Sequence, residues 1–302
     1  MQSLYAFFSS SEKNVAKSVK ELKNSLDKVY ELYVYLLFLL REVHIYSRKD
    51  MEFGKRKKLP RIDDLNPKTK FINNELLNIL NNDSLLNKLS EKYKFSLDTE
   101  EELIKNIFLH FKKSEEYINY VNGESVDYEI DKNIAILLFK KYIGANDLVA
   151  NKTGEVSVYW EVNFDLVVQM VIRTISGCNR LNSSVVSTEF LNKEDNEFIE
   201  NLFTKTIQNS DEYGDMIGEK AKNWEEDRIA IMDKLLMKMA ICEFLQFAQI
   251  PIKVTMNEYI DISKLYSAKQ SKVFINGILD KLLLDFKSKK LILKEGRGLN
   301  EL

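Results

Sequence analysis

The residues best suited to a chemical role lie where a short loop enters the last predicted helix. Ser271 and Lys272 stand at the predicted N-terminus of that helix, and Phe274 follows within one turn. Free backbone N–H groups at a helix N-terminus favour a phosphate, and the lysine adds positive charge. An aromatic ring beside them can stack a base, which is how single-stranded RNA is typically held. Core packing is the alternative role for Phe274, and the sequence favours neither.

The residue types that usually carry catalysis or metal binding are sparse. Neither of the two histidines, His44 and His110, lies near a cysteine or in a metal-ligand spacing, so zinc and di-iron helical sites are not expected. The two cysteines, Cys178 and Cys242, form no C-x-x-C pair, and no glycine-rich phosphate loop follows a strand. The sequence therefore predicts a protein that is not an enzyme and has no cofactor or metal.

Composition narrows the class of protein further. The chain has 302 residues, 45% of them hydrophobic, and a net charge of −2. This length suits one large domain or two ordinary ones, and the charge excludes a polycation, so a nucleic acid must be bound by a local patch. Two cysteines fit a reducing compartment, and the apolar run 29–40 is too short to span a bilayer. We expect a cytoplasmic protein without a signal peptide.

The hydrophobic pattern predicts an all-α fold. From Val15 to about Ile45, apolar residues recur at three- and four-residue steps, which is typical of one helix face. The segment from Ser271 to Phe286 has the clearest stripe, and no alternating strand pattern competes with these helices. Pro60 and Pro67 interrupt the helical pattern. Further helices are predicted over roughly 131–143, 163–175, 193–208, 228–247 and 254–266.

The most specific motif covers residues 224–283 and spans three predicted helices. The residues that carry it are Arg228, Asp233, Met239, Ala240, Glu243, Ile250, Pro251, Lys253, Val254, Asn257, Glu258, Phe274, Asn276, Gly277, Leu279 and Asp280. In this order and spacing they resemble the NusB family of transcription antitermination factors. The resemblance reaches back to about Lys193 and recurs at residues 2–6, which look like the end of the family's first helix.

The resemblance implies a NusB-like helical bundle with a helical central insertion. It also implies a factor that binds boxA-like RNA of nascent rRNA leaders together with the ribosomal protein NusE. Such a factor joins the RNA polymerase antitermination complex, supports rRNA transcription and involves no membrane. The alternative is a helical protein-interaction scaffold that kept the NusB fold and lost RNA binding. The implied contacts are Gln270, Ser271, Lys272 and Phe274 for RNA, and Tyr5 and Asp233 for the protein partner.

One departure from the family concerns its arginine-rich stretch ahead of the first helix. The chain starts at Met1 and already matches that helix at Tyr5, so the stretch has no counterpart here. Either the true start lies upstream, or RNA binding relies on other residues. The run Arg48 to Arg61, with seven basic and two acidic residues, is a candidate substitute. Its alternative role is a solvated hinge loop.

The middle of the chain repeats part of the motif region at an offset of 64 residues. The pairs Trp160/Trp224 and Cys178/Cys242 share this offset, and residues 131–178 match 195–242 at eleven positions without a gap. The match indicates either a degenerate internal duplication or a chance similarity between two helical hairpins.

The expected organisation has four parts. Residues 1–49 are N-terminal helices, 50–190 a helical insertion, 191–286 the NusB-like C-terminal module, and 287–302 a flexible, mildly basic tail. Within the module, Asn257 and Glu258 are interpreted as a buried polar pair, and Gly277 as a point where another helix approaches closely.

Overall fold

The computed structural model describes residues 1–59, 61–125, 127–182, 184–187, 193–221 and 229–299. Regular secondary structure in these ranges is helical throughout, so the all-α prediction is confirmed. Contacts within the chain define two compact units. Unit 1 is Met1–Lys23 with Leu191–Leu302, and unit 2 is Asn24–Phe190. No helix in the described ranges combines the length and the apolar character that crossing a membrane requires.

The helices differ widely in length, from four residues in α3 to 41 in α2. In chain order they are α1 (Gln2–Ser9), α2 (Val15–Lys55), α3 (Ile62–Leu65), α4 (Glu75–Asn81), α5 (Ser84–Tyr93), α6 (Leu97–Lys112), α7 (Glu115–Asn122) and α8 (Tyr128–Leu137). They continue with a π-helical segment (Leu138–Ile143), α9 (Asp147–Val156), α10 (Val158–Gly177), α11 (Lys193–Gln208), α12 (Ser210–Lys220), α13 (Ile231–Gln246), α14 (Ile252–Tyr266), α15 (Ser271–Ser288) and a 3₁₀ turn (Gly296–Leu299).

Unit 2 is organised around α2. Every residue from Leu32 to Leu40 is buried, which explains why this stretch is apolar on all its faces. The helix runs past the expected boundary between residues 49 and 50, because no proline precedes Pro60 to stop it. α4 and α5 are separate helices because Asp83 caps α5, accepting the N–H groups of Leu85 and Leu86 at 2.9 and 3.1 Å.

His44 of α2 belongs to the core of unit 2. Its Nε2 donates to the Phe71 carbonyl at 3.0 Å, and its Nδ1 accepts from the Asn81 amide at 2.8 Å. Burial lowers the pKa of His44, which favours the neutral ring that these two bonds require. His44 therefore has a structural role.

Unit 1 is organised around α13. This helix packs against α1, α11, α12, α14 and α15, and its residues Leu235, Leu236 and Met237 are all buried. Its low amphipathicity follows from this central position, since a helix with neighbours on most sides is apolar around most of its circumference. α13 begins at Ile231, whereas the sequence predicts a start at residue 228. Trp224 and Arg228 lie outside the described residues.

The 64-residue offset also relates helices. α8 with the π-helical segment spans 128–143 and corresponds to α11 at 193–208, and α9 at 147–156 corresponds to α12 at 210–220. α10 then corresponds to α13, and Cys178 and Cys242 are both buried near the ends of these helices. The internal duplication stays a prediction, since its test is the superposition of 131–178 on 195–242.

Two local predictions for unit 1 are wrong. Asn257 and Glu258 are exposed, because the buried face of α14 carries Thr255, Met256 and Tyr259 instead. A Cβ built on Gly277 would have no neighbour within 4 Å, so no helix approaches closely there. Gly277 lies just outside the apolar stripe of α15 and faces away from the core.

Candidate nucleic-acid interface

The loop of residues 267–270 joins α14 to α15 and is held by its own backbone hydrogen bonds. The N–H of Ser267 donates to the Ser263 carbonyl at 2.9 Å, and the N–H of Ser271 donates to the Ala268 carbonyl at 2.8 Å. Gln270 precedes α15 and makes no side-chain hydrogen bond to the first turn of that helix. The helix N-terminus therefore lacks a side-chain cap that would compete with a phosphate.

The four residues predicted to contact RNA differ in exposure. Gln270 and Lys272 are exposed, whereas Ser271 is only 8% exposed. Phe274 is half-buried and packs against the core of unit 1. The apolar face of α15 includes this position, which explains the contact. Gln270 and Lys272 are thus available to a ligand, the Ser271 hydroxyl is not, and the Phe274 ring is open only in part.

Three further polar or aromatic residues lie beside the loop. Tyr266 is 42% exposed, and Lys269 is exposed on the loop itself. Gln2 of α1 directs its amide Nε2 toward the Tyr266 hydroxyl oxygen at 3.5 Å. Tyr266 and Lys269 could have been found from their nearness to Lys272 in the sequence. Gln2 could not, because no local pattern relates residues so far apart in the chain.

The two predicted partner-binding residues lie on helices that pack together, α1 and α13. Tyr5 is 43% exposed on α1, whereas Asp233 is 5% exposed in the first turn of α13. One carboxylate oxygen of Asp233 has no hydrogen-bond partner among the described residues. An acidic side chain in a first turn stabilises the helix through its dipole. Tyr5 therefore offers an exposed contact, and Asp233 is placed to support α13.

A buried polar cluster anchors α14 to α13. Glu243 of α13 accepts hydrogen bonds from the Thr255 hydroxyl at 2.6 Å and the Tyr259 hydroxyl at 3.1 Å. Burial raises the pKa of Glu243, while these two donors and the nearby Lys294 oppose that shift. Thr255 and Tyr259 are one turn apart on α14, so one carboxyl group fixes the helix that leads into the loop.

The C-terminal segment is packed against the end of α13, contrary to the expectation of a flexible tail from residue 287. α15 continues to Ser288, and Lys294 is 7% exposed. The Lys294 Nζ donates to the Phe247 carbonyl at 2.8 Å and to the Glu243 carbonyl at 3.3 Å. A lysine in this position satisfies carbonyls that a helix C-terminus leaves unpaired. Basic composition alone does not reveal this contact.

The other side chains of types used in catalysis or metal binding form no cluster in the described part of the chain. Within the described ranges, no three His, Cys, Asp or Glu side chains are grouped so that they could hold a metal ion. Cys178 and Cys242 are free and buried, and burial raises the pKa of both thiols. Thiols of this kind are poor nucleophiles because little thiolate forms.

Comparison with known proteins gives a consistent set of relatives. The family model described as "NusB family" matches residues 163–283. The transcription antitermination protein NusB of Salinibacter ruber is 42% identical over 103 residues, which cover 34% of this chain and 64% of that protein. The protein of the same name from Chloroherpeton thalassium is 44% identical over 106 residues, or 35% of this chain and 50% of that protein.

The match to a third relative covers a larger share of that protein than the first two matches do. The transcription antitermination protein NusB of Bacillus mycoides is 37% identical over 90 residues, which cover 30% of this chain and 69% of that protein. The chain thus spans between half and somewhat over two thirds of these relatives. No solved structure matches it.

Proposed function

The chain belongs to the NusB family, and we propose that it acts as a transcription antitermination protein. In this proposal it binds boxA-like RNA of nascent rRNA leaders together with the ribosomal protein NusE. The complex then joins the RNA polymerase antitermination complex and supports rRNA transcription. The protein works in the cytoplasm as a scaffold and catalyses no reaction.

The observation that carries the proposal is the exposed, uncapped N-terminus of α15. Lys272 and Gln270 are exposed there, with Lys269 on the same loop. The two lysines, together with the positive end of the α15 dipole, hold phosphates, which position the RNA. The open part of Phe274, with Tyr266 beside it, stacks one base or more. Ser271 is the weakest of the four predicted RNA contacts, since its side chain is buried and its N–H donates to the Ala268 carbonyl.

Contact with NusE is assigned to the α1 side of this surface. Tyr5 supplies an exposed aromatic group, of the kind enriched at protein interfaces. Gln2 lies near Tyr266, so α1 extends from the RNA loop toward Tyr5. If NusE raises the affinity for RNA, linkage requires that RNA raise the affinity for NusE by the same factor. Asp233 is the weaker candidate because its carboxylate is buried.

Gel-shift titration of the whole chain, with and without NusE, tests the proposal. We expect tighter binding to a boxA RNA than to a scrambled RNA of equal length, and a further gain with NusE. Lys272→Gln should weaken binding to both RNAs by a similar factor and reduce the dependence of log affinity on log salt by about 0.7, as loss of one phosphate contact predicts.

The matched control is Lys281→Gln, an exposed lysine further along α15. This variant should leave RNA binding unchanged. Equal affinity of the unaltered chain for boxA and scrambled RNA, with or without NusE, would refute the proposal.

A second candidate function is a protein-interaction scaffold that has lost RNA binding. The burial of the Ser271 hydroxyl and the packing of Phe274 against the core favour it. In this case NusE would bind the chain without RNA, and Tyr5→Ala would weaken that binding while Lys272→Gln would not. Isothermal titration of NusE with each variant separates the two functions.

A further inference from the structure

An apolar stripe is left in solvent on the α9–α10 hairpin of unit 2. Val158, Val162 and Leu166 follow each other at four-residue steps on α10 and are 70%, 52% and 57% exposed. Leu148 and Val156 of α9 are 58% and 53% exposed. Single exposed apolar side chains are common on soluble proteins, but a stripe along one helix face marks an interaction surface.

The sequence at the 64-residue offset does not repeat this stripe. The positions 64 residues after Leu148, Val156, Val158, Val162 and Leu166 hold Glu212, Lys220, Lys222, Glu226 and Ala230. Four of these five are charged, and none is a large apolar residue. The large apolar residues at these positions are therefore particular to the α9–α10 hairpin and do not recur in the sequence at the 64-residue offset.

An acidic groove lies beside the stripe. It has a volume of about 550 Å³, with Thr153 and Phe164 among its lining residues, together with the carboxylates of Glu155, Glu161 and Asp165. None of the three carboxylates forms an ion pair with another described residue. The nearby lysine of α9, Lys152, is paired with Glu100 at 2.7 Å instead. The groove thus keeps a local negative charge beside an apolar surface.

We propose that this surface, the α9–α10 face, binds an amphipathic helix of a partner protein that carries lysine or arginine along one edge. The apolar side of such a helix would cover Val158, Val162 and Leu166, and its cations would enter the groove at Glu161 and Asp165. Helix-in-groove recognition uses anchors at this spacing, and complementary charge selects the partner and its orientation. A nucleic acid is disfavoured because the carboxylates would repel its phosphates.

Fluorescence anisotropy with a labelled model peptide tests this inference on the whole chain. The probe is an 18-residue helical peptide with leucines on one face and lysines along its edge, and the comparison probe has glutamates in place of the lysines. We expect the lysine peptide to bind and the glutamate peptide to bind at least about tenfold more weakly, as like charges across an interface predict.

The combined variant V158K/V162E/L166A gives α10 the residue types found 64 positions later in the sequence. It should weaken binding of the lysine peptide by at least about tenfold, since truncating a central anchor usually costs fivefold or more. The matched control is Leu284→Lys, which changes an equally exposed apolar residue on α15 and should have no effect. Far-ultraviolet circular dichroism confirms that each variant is folded.

The charge-reversal variant E161K/D165K should invert the preference, so that the glutamate peptide binds better than the lysine peptide. Equal binding of both peptides to the unaltered chain would overturn the inference, as would unchanged binding by the combined variant. Sedimentation of the chain alone tests whether a second copy of the chain occupies this face. A dimer that the combined variant dissociates would also overturn the inference. The inference does not rest on the proposed function, and boxA binding should be the same in these variants.

Discussion

Glu243 shows how a single buried residue decides the placement of the proposed RNA-binding loop. Its carboxyl group joins Thr255 and Tyr259 of α14, and the backbone carbonyl of the same residue accepts from Lys294. The group is 5% exposed, and burial raises its pKa. The folded protein therefore keeps the proton of this carboxyl group to a higher pH than the unfolded chain does.

This difference predicts a pH-dependent contribution to stability. Because the folded-state pKa is raised, the contribution of Glu243 is fully present below its unfolded pKa and is lost as pH rises through its folded pKa. We compare the free energy of unfolding of the unaltered chain with that of Glu243→Gln. The unaltered chain minus the variant should give a difference that falls as pH rises from the unfolded to the folded pKa of Glu243. Urea unfolding of both proteins over a series of pH values measures it.

The exposed Glu91 of α5 provides the control for this measurement. Glu91→Gln also removes one carboxylate, but it leaves the cluster of Glu243, Thr255 and Tyr259 unchanged. A pH-independent difference for Glu243→Gln would show that burial does not perturb the ionisation of Glu243.

At the scale of elements, the two hairpins related by the 64-residue offset differ where α8 ends. The π-helical segment of the first copy closes with the Gly144 N–H donating to the Phe139 carbonyl at 2.7 Å. A Cβ on Gly144 would lie 2.7 Å from a methyl carbon of Val168, a buried β-branched residue whose rotamer has little freedom. The segment 64 residues later has Gln208 at the corresponding position, where the regular α-helix α11 ends.

Gly144→Ala should therefore destabilise unit 2. We expect a loss of about 1–3 kcal/mol in the free energy of unfolding, the usual cost of overpacking a core. Gly177→Ala is the matched control, because a Cβ at Gly177 would meet nothing within 4 Å. That change within α10 should be neutral or stabilise the protein by up to about 1 kcal/mol. Urea unfolding compares the two variants, and equal effects would contradict the close approach of α10 to Gly144.

At the scale of the whole molecule, each compact unit has a hydrophobic core of its own. The core of unit 2 surrounds the apolar run of α2, and that of unit 1 surrounds α13. Each core contains one of the two cysteines, Cys178 in unit 2 and Cys242 in unit 1. Units with separate cores commonly unfold as separate cooperative steps.

The cysteines can report on the two units one at a time. In the single-cysteine variants Cys178→Ser and Cys242→Ser, the remaining thiol should react slowly with a thiol reagent in the native protein, because it is buried and its pKa is raised. We expect labelling to become fast at a different urea concentration for each variant. Coincident labelling midpoints would show that the two units unfold together, and fast labelling without urea would contradict the burial of the thiols.

Much of the fold could be predicted because helical periodicity is a local signal. The bounds of α11 agree with the prediction, and the start of α15 does so as well. The long helix from Val15 was predicted, but its continuation from Ile45 to Lys55 was not. The Asp83 cap between α4 and α5 and the π-helical segment were not predicted either, since each depends on a single residue or on a packing partner far along the chain. The surroundings of Gly277 could not be predicted for the same reason, because its neighbours are set by tertiary structure.

The sequence by itself determined the helical class, the resemblance to the NusB family and the position of the loop before α15, because these follow from residue spacing along the chain. Only the tertiary structure decided which of the residues in that loop face solvent: Lys272 does, whereas the Ser271 side chain does not. It also decided that Glu243 is buried with Thr255 and Tyr259 and that Lys294 is held by carbonyls of α13 and the residues after it. Burial depends on neighbours brought together by folding, and residue type and spacing do not specify those neighbours.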